Sequence, residues 1–191
     1  VLNCTTISSI ARYCRTGLPL VKKCVTVDGS AVKNPMNVLV PIGTRMKDVF
    51  EATGGFKEEP KMVLYGGPMM GIAVPDLEQP ILKNTNAILA FGEAEATPPE
   101  PTACIKCGKC IAHCPLSLMP CEMETAYKKG NMERLMHLKV NLCMECGCCS
   151  FICPAHRPLV QTNKLAKAQV MAYKNALKAK AEAEKQKEAA K

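Results

Sequence analysis

Two cysteine runs with the same spacing constrain this chain more than any other feature of its sequence. The first extends from Cys104 to Pro115 and the second from Cys143 to Pro154. Each follows the pattern Cys-x2-Cys-x2-Cys-x3-Cys-Pro, in which three thiolates two residues apart can reach three corners of one iron–sulfur cubane. The two complete copies therefore predict two [4Fe-4S] clusters as cofactors.

The fourth cysteine of each run is predicted to bind the cluster of the other run. It cannot fold back onto the cubane held by the first three cysteines, and the following proline stiffens the chain as it turns away. The predicted ligand sets are Cys104, Cys107, Cys110 and Cys153 for the first cluster, and Cys114, Cys143, Cys146 and Cys149 for the second. This crossing would bring the clusters close enough for an electron to tunnel between them.

Zinc is the main alternative for these cysteines, because Cys-x2-Cys pairs also build tetrahedral zinc sites. A zinc site closes with four ligands and requires neither the third cysteine of each run nor its Cys-Pro ending. A disulfide framework is less favoured, since the chain has 13 cysteines, an odd number, and shows no signal peptide. The spacing therefore favours iron–sulfur clusters over both alternatives.

Five cysteines lie outside the predicted ligand sets, namely Cys4, Cys14, Cys24, Cys121 and Cys148. The first three are expected to be small buried residues. Using Cys148 as a ligand would break the regular spacing, so it and Cys121 are predicted not to bind a cluster. His113 and His156 flank cluster cysteines and could donate hydrogen bonds, although an exposed loop histidine is the simpler interpretation of each.

Composition points to a small protein that depends on its metal sites. The 191 residues suffice for one or two small domains, aromatic residues make up only 4%, and tryptophan is absent. We therefore expect the clusters to replace part of the hydrophobic core, so that their removal unfolds the cysteine-rich part.

The formal net charge of +8 does not indicate a nucleic-acid partner. Residues 164–191 contain eight lysines and three glutamates, and each cluster with four thiolates adds about two negative charges. Apolar runs do not approach the length of a membrane span, so membrane association is expected through partners only. Because the chain begins with Val1, we expect it to be a fragment of a longer protein.

The first half of the chain predicts an α+β domain. A helix is expected over residues 6–17, strands over 18–27, 37–42, 62–65, 72–74 and 87–91, and a helix from Thr44 to the glycines at 54 and 55. Two strands, a crossing helix and further strands form a β-grasp-like pattern over residues 18–92. The glycine-rich run Gly66–Gly71 is predicted to be a tight turn rather than a ligand site, since it matches neither a phosphate loop nor a dinucleotide fingerprint.

The second half predicts an all-α domain. Residues 93–102 are acidic and proline-rich, as is typical of an extended linker. Within the cysteine-rich domain, residues 103–160, the long segment between the runs reads as two helices, with Pro120 at the start of one and Asn131 capping the other. Residues 161–191 form an Ala/Lys-rich helical tail, in which Ala166, Val170, Tyr173 and Leu177 recur at helical spacing.

Several motifs, in this order, resemble the C subunit of Rnf-type electron-transport complexes. They are Val25-Thr-Val-Asp-Gly, Asn34-Pro35, Val40-Pro-Ile-Gly43, Gly66-Gly-Pro-Met-Met-Gly71, Cys104-Ile-Lys-Cys-Gly-Lys-Cys, Cys114-Pro-Leu-Ser-Leu-Met-Pro120 and Cys143-Met-Glu-Cys-Gly. The dicluster motif occurs in many redox subunits, but the Gly-Gly-Pro-Met-Met-Gly run before it makes the match specific.

The resemblance implies a soluble-ligand-binding β-grasp domain followed by a dicluster ferredoxin domain. It also implies an upstream domain that binds FMN and NADH, of which residues 1–17 would be the last helix, so those sites are carried onto no residue of this chain. In that family the complex couples electron flow between NADH and ferredoxin to sodium or proton transport. This chain would relay electrons to a partner iron–sulfur subunit, peripherally, at the cytoplasmic face of the membrane.

No catalytic residue is predicted in this chain, because its sequence shows no nucleophile, general base or phosphate loop. Two other functions stay open at this point. The chain could be an iron–sulfur subunit of a quinone- or disulfide-reductase complex, or a ligand-binding or docking module whose clusters are structural.

Overall fold

The computed structural model describes residues 1–189 and divides into two compact units, Val1–Pro98 and Pro99–Lys191. Unit 1 contains a five-stranded sheet, and every regular element described in unit 2 is helical. The predicted α+β class is confirmed. Within residues 1–189, no helix combines the length and apolar composition needed to cross a bilayer.

Unit 1 contains eight regular elements. In chain order they are α1 (Cys4–Thr16), β1 (Lys22–Asp28), β2 (Met36–Pro41), α2 (Met46–Ala52), β3 (Met62–Tyr65), β4 (Ile72–Ala73), β5 (Ala87–Phe91) and α3 (Glu93–Ala96).

The sheet of unit 1 has the strand order β2-β1-β5-β3-β4. Strands β1 and β5 are parallel, while the other neighbouring pairs are antiparallel. Helix α2 buries Met46, Val49 and Phe50 in the same core as the inward side chains of β1 and β5. Val25 and Val27 alternate with exposed residues along β1, as expected for a strand with one face on a core.

Several boundaries in unit 1 differ from the predicted ones. Helix α1 begins at Cys4 rather than at residue 6, because the Asn3 side chain accepts a hydrogen bond from the Thr5 N–H at 2.8 Å and caps it. Strand β1 begins at Lys22 rather than at residue 18. Pro19, which has no N–H to donate to a neighbouring strand, lies in the predicted segment that is not part of the strand. The segment predicted as an extended linker begins with the one-turn helix α3.

Gly66–Gly71 forms the connection between β3 and β4, as predicted for a tight turn. The Gly71 N–H donates to the Gly67 carbonyl at 2.7 Å, and a Cβ on Gly71 would lie 2.5 Å from that oxygen. Met69 and Met70 are exposed at its tip. The turn therefore needs glycine for close backbone approach.

The described part of unit 2, up to residue 189, contains five α-helices and one short 3₁₀ turn at Val140–Leu142. The helices are α4 (Lys109–Ala112), α5 (Pro120–Lys128), α6 (Met132–His137), α7 (Cys148–Phe151) and α8 (Leu159–Ala189). Pro120 occupies the first turn of α5, and the Asn131 side chain caps α6 by accepting from the Arg134 N–H at 2.8 Å.

Helices α5, α6 and α8 share one hydrophobic core in unit 2. Met123, Leu135 and Ala166 are completely buried there. Helix α8 runs without interruption across the domain boundary predicted at residue 160, and its Ala166 and Val170 belong to this core. Of the four residues predicted at helical spacing on α8, Ala166 and Val170 are buried, whereas Tyr173 and Leu177 are exposed.

Candidate metal centres

The two cysteine runs fold into loops with the same backbone conformation. Lys106 and Glu145, which precede the second cysteine of each run, have φ of 55° and 60°. Gly108 and Gly147, which follow that cysteine, have φ of 74° and 82°. A left-handed conformation is costly for a residue with a side chain, so its recurrence at matching positions indicates a shared functional constraint.

Left-handed residues in a loop can turn neighbouring backbone N–H groups toward one side. Concave arrangements of this kind bind anions and occur at many iron–sulfur sites. A Cβ on Gly108 would meet no atom within 4 Å in the described part of the chain, so glycine is favoured there by its φ rather than by lack of space.

Each loop leads directly into a short helix that carries the third cysteine. Gly108 caps α4, which contains Cys110, and Gly147 caps α7, which contains Cys149. Both third cysteines are buried, and α4 contacts α7. The contact between these helices brings the end of each run toward the beginning of the other.

The first cavity, which we call the Cys104 cavity, lies between α4, α5 and the segment that follows α7. Its cysteines are Cys104, Cys107, Cys110, Cys121 and Cys153. The structure therefore brings together all four predicted ligands of the first cluster, including the one from the second run. Cys104 and Cys107 are exposed, so this cavity opens to solvent on the side of its loop.

The second cavity, which we call the Cys143 cavity, lies between α7, the start of α8 and the segment that follows α4. Its cysteines are Cys114, Cys143, Cys146, Cys148 and Cys149. All four predicted ligands of the second cluster line it, including the one from the first run. None of them is exposed, so the Cys143 cavity is better shielded than the Cys104 cavity.

Burial favours the neutral thiol at the innermost cysteines. It raises the pKa of Cys110 to about 12, with a further contribution from neighbouring Cys121, and the pKa of Cys149 to about 11. Burial also raises the pKa of Cys143. Since metal ligation requires the thiolate, binding at either cavity must release protons.

A buried ion pair borders the Cys104 cavity. The Glu124 side chain is only 2% exposed, and Arg157 donates to its Oε2 from Nε at 2.8 Å. Lys128 Nζ lies 2.8 Å from the other carboxylate oxygen. The hydrogen bond from Arg157 to the Glu124 carboxylate raises the pKa of Arg157. In the sequence Glu124 resembles an ordinary acidic residue of a first helical turn, so no local signal indicated its burial.

Helix α8 provides the corresponding contacts beside the Cys143 cavity. Lys167 donates from Nζ to the Cys143 carbonyl and to Glu145 Oε1, each at 2.9 Å. The Leu118 N–H lies 3.3 Å from Cys114 Sγ and donates to it. Val160 and Asn163 of α8 also line this cavity. Asn163 and Lys167 lie within the predicted tail, residues 161–191, and that prediction gives no sign of their contribution to this site.

The remaining cysteines divide into two groups. Cys121 lines the Cys104 cavity beside Cys110, and Cys148 lines the Cys143 cavity, where its hydrogen bond with Cys146 raises the pKa of Cys148. Cys4, Cys14 and Cys24 are exposed, so their predicted burial was wrong. They lie on α1, which buries none of its described residues, and on an outward position of β1.

The two histidines near the runs are exposed. His113 lies with Nδ1 3.0 Å from the Lys109 carbonyl, a contact within its own helical turn, and His156 adopts a left-handed φ of 49°. The structure therefore agrees with the simpler interpretation of each residue as a loop histidine.

The donor set suits a cubane cluster better than a single ion. Among residues 1–189, no three Cys, His, Asp or Glu side chains converge closely enough to bind one metal ion. In a cubane each thiolate binds a different iron, so its four ligands surround a volume rather than a point. The four predicted ligands among the five cysteines that line each cavity fit that requirement.

The fold and these cavities define a two-unit protein, with an α+β unit followed by a helical unit built around two sets of cysteines. Residues 24–73 match the SLBB domain family. The C subunit of an ion-translocating oxidoreductase complex from Rhodobacter capsulatus is 37% identical over 170 residues, which are 89% of this chain and 33% of that relative.

Two further relatives have more specific names. The C subunit of a proton-translocating ferredoxin:NAD(+) oxidoreductase complex from Clostridium ljungdahlii is 41% identical over 63% of this chain and 26% of its own length. The C subunit of a Na(+)-translocating ferredoxin:NAD(+) oxidoreductase complex from Acetobacterium woodii is 39% identical over 69% of this chain and 30% of its own length.

This chain belongs to the family of these C subunits, as the resemblance in the sequence indicated. It spans between a quarter and a third of the length of these three relatives.

Proposed function

We propose that the chain holds two [4Fe-4S] clusters and serves as an electron-transfer segment of an ion-translocating oxidoreductase complex. One cluster would bind Cys104, Cys107, Cys110 and Cys153, and the other Cys114, Cys143, Cys146 and Cys149. The observation that carries this proposal is the lining of the two cavities, since each contains three cysteines of one run and the fourth of the other.

When bound, such clusters supply one-electron transfer. The chain's own residues would hold and shield them. Buried Cys110 and Cys149 anchor each loop to the core, and the Leu118 N–H donates to Cys114 Sγ. The contact between α4 and α7 keeps the two sites adjacent, as transfer between them requires.

The role in a complex rests on the family. Its members are named as subunits of ion-translocating oxidoreductases, two of them of the ferredoxin:NAD(+) type. We propose that this chain relays electrons between a flavin domain that binds FMN and NADH, upstream of Val1, and a partner iron–sulfur subunit. It would act as a peripheral part of the complex at the cytoplasmic face of the membrane. The relatives differ in the ion their names specify, so the coupling ion stays open.

The domain limits are part of the proposal. Residues 18–92 would form a β-grasp-like, soluble-ligand-binding domain, an assignment supported by the family match over residues 24–73. Residues 93–102 would act as linker, 103–160 as the dicluster domain, 161–191 as the tail, and 1–17 as the end of an upstream domain. The contacts of α8 with the Cys143 cavity support extending the cluster domain into the proposed tail.

Anaerobic reconstitution with iron and sulfide tests the cofactor assignment. We expect about eight iron atoms per chain, broad visible absorption, and two reversible one-electron couples. Stoichiometric zinc without visible absorption would contradict the proposal. Reconstituted clusters that cannot be reversibly reduced would instead favour a structural role for them.

A further inference from the structure

Asn163 has an unusual environment for an amide side chain. It is 1% exposed, and neither its Nδ2 nor its Oδ1 has a hydrogen-bond partner among the described residues. Leaving a buried polar group without a partner is costly, so such a residue in a folded protein requires an explanation. Asn163 also lines the Cys143 cavity, which offers a position for a missing partner.

The same face of α8 contacts the Cys143 loop at three successive turns. Val160 and Asn163 line the cavity, and Lys167 donates to the Cys143 carbonyl. Residues at spacings of three and four lie on one side of a helix. The position of Asn163 at the cavity is therefore set by flanking contacts and by the burial of neighbouring Ala166 in the unit 2 core.

The repeated cysteine runs allow a buried residue near one cavity to be compared with the residue at the same position relative to the other run. Counted from the first cysteine of each run, Glu124 on α5 and Asn163 on α8 occupy equivalent positions. Both are completely buried beside a cysteine-lined cavity. The Glu124 carboxylate forms ion pairs with Arg157 and Lys128, although only its Oε2 accepts a hydrogen bond, whereas Asn163 has no protein partner among residues 1–189.

We propose that the Asn163 amide donates a hydrogen bond to the cluster bound by Cys114, Cys143, Cys146 and Cys149, and thereby raises its reduction potential. The inference rests on the proposed function. Sulfide and thiolate sulfurs accept hydrogen bonds, and Asn Nδ2 offers two donors. The bond strengthens as the acceptor becomes more negative, so Asn163 stabilises the reduced state more than the oxidised one.

Potentiometric titration of the reconstituted chain, followed by electron paramagnetic resonance, tests this role. In Asn163→Leu, which removes the amide at similar volume, one couple should move to lower potential. We expect about a tenfold change in the equilibrium constant for reduction, or about 59 mV for one electron. The potential of the other cluster should not change. Pulsed electron paramagnetic resonance, compared before and after exchange into deuterium oxide, should detect one fewer exchangeable proton near the shifted cluster in the variant than in the parent chain.

Gln169→Leu is the matched control, because it makes the same chemical change at an exposed position of α8. It should leave both couples unchanged. Asn163→Ala is a second variant, for use if a leucine side chain does not fit at this buried position. It should shift the potential of the same cluster in the same direction.

Three results would overturn the inference. The first is that both reduction potentials stay unchanged in both Asn163 variants at full iron content. The second is that Gln169→Leu shifts a potential by as much as Asn163→Leu does. The third is that both Asn163 variants lose about half the iron, which would make Asn163 necessary for cluster retention. A parent chain with no reversible couple would instead overturn the proposed function itself. The two failures are therefore distinguishable.

Discussion

Unit 2 has two halves, the Cys104 half with the first cysteine run and α5, and the Cys143 half with the second run and α8. They have similar backbone conformations but different surroundings. In each half a cysteine loop with left-handed residues leads into a one-turn helix and then into a longer helix, α5 or α8. The Cys104 half is open at Cys104 and Cys107 and borders a buried ion pair. The Cys143 half has no exposed predicted ligand and borders a neutral amide.

This difference shows how one local motif can produce two unequal sites. The loops determine which cysteines surround a cavity, while the longer helices determine its electrostatics and access to solvent. Clusters in such different surroundings are expected to have different potentials, because burial, charge and hydrogen bonds to sulfur all affect reduction. The following variants test that comparison, from the largest expected effect to the smallest.

Removing the last cysteine of one run, which is the predicted ligand of the other run's cluster, should empty one site and leave the other occupied. Cys153→Ala should lose the cluster of the Cys104 cavity, and Cys114→Ala that of the Cys143 cavity, each leaving about four of eight iron atoms. Iron analysis and electron paramagnetic resonance would measure this, and the two variants should retain different signals. Cys148→Ala is the control and should keep both clusters. Identical residual signals in the two crossed variants would contradict the ligand assignment.

Truncating the buried carboxylate should destabilise the Cys104 half. Glu124→Ala leaves the Arg157 guanidinium, whose side chain is 17% exposed, without its partner, and we expect a loss of about 3 kcal/mol in the free energy of unfolding. Denaturant unfolding measures this loss, and the double variant Glu124→Ala/Arg157→Met should recover part of it.

The equivalent change in the other half provides the contrast. Asn163→Leu should not destabilise the fold comparably, because it removes a neutral amide and leaves no buried charge without its partner, whereas Glu124→Ala leaves the Arg157 guanidinium unpaired. Equal losses for Glu124→Ala and Asn163→Leu would show that the two buried residues are supported in the same way.

Replacing Gly108 or Gly147, the glycines with left-handed φ, should lower the free energy of unfolding by similar and smaller amounts in the two halves. A Cβ on Gly108 meets no clash in the described part of the chain, so Gly108→Ala should cost only the conformational strain, about 1–2 kcal/mol. Gly147→Ala, at φ of 82°, should cost a similar amount. Denaturant unfolding of both variants measures this, and an effect many times larger in one half would show that its loop has a further constraint.

The smallest expected effect is on the Cys143 half alone. Lys167→Met removes the hydrogen bond to the Cys143 carbonyl and the ion pair with Glu145, both of them partly exposed. We expect a loss of about 1 kcal/mol in the free energy of unfolding and faster loss of iron to a chelator from one cluster only. Lys164→Met, one turn away on α8, is the control. Equal chelation rates in the two variants would argue against a role for Lys167.

Much of the fold followed from local sequence patterns. The limits of β3 and β5 were predicted correctly, and the cap of α6 by Asn131 is confirmed, because short apolar runs and capping residues are recognisable from neighbouring residues. The predicted start of α1 at residue 6 is wrong, because that prediction took Thr6 as the cap, whereas Asn3 caps the helix. Residues 161–191 are predicted as a tail, because the burial of Ala166 and Val170 depends on packing with α5 and α6, which the local sequence does not show.

The sequence by itself predicted two sets of cysteines, the grouping of each run's last cysteine with the first three of the other run, and the resemblance to the family. Those features depend on spacing along the chain, where covalent geometry limits what a cysteine can reach. Only the tertiary structure decided which other side chains face each cavity. Glu124 and Asn163 lie on ordinary helical segments, and their burial results from helix packing between residues far apart in sequence. A residue's type and spacing therefore predict ligands, whereas the polar groups around them depend on the assembled core.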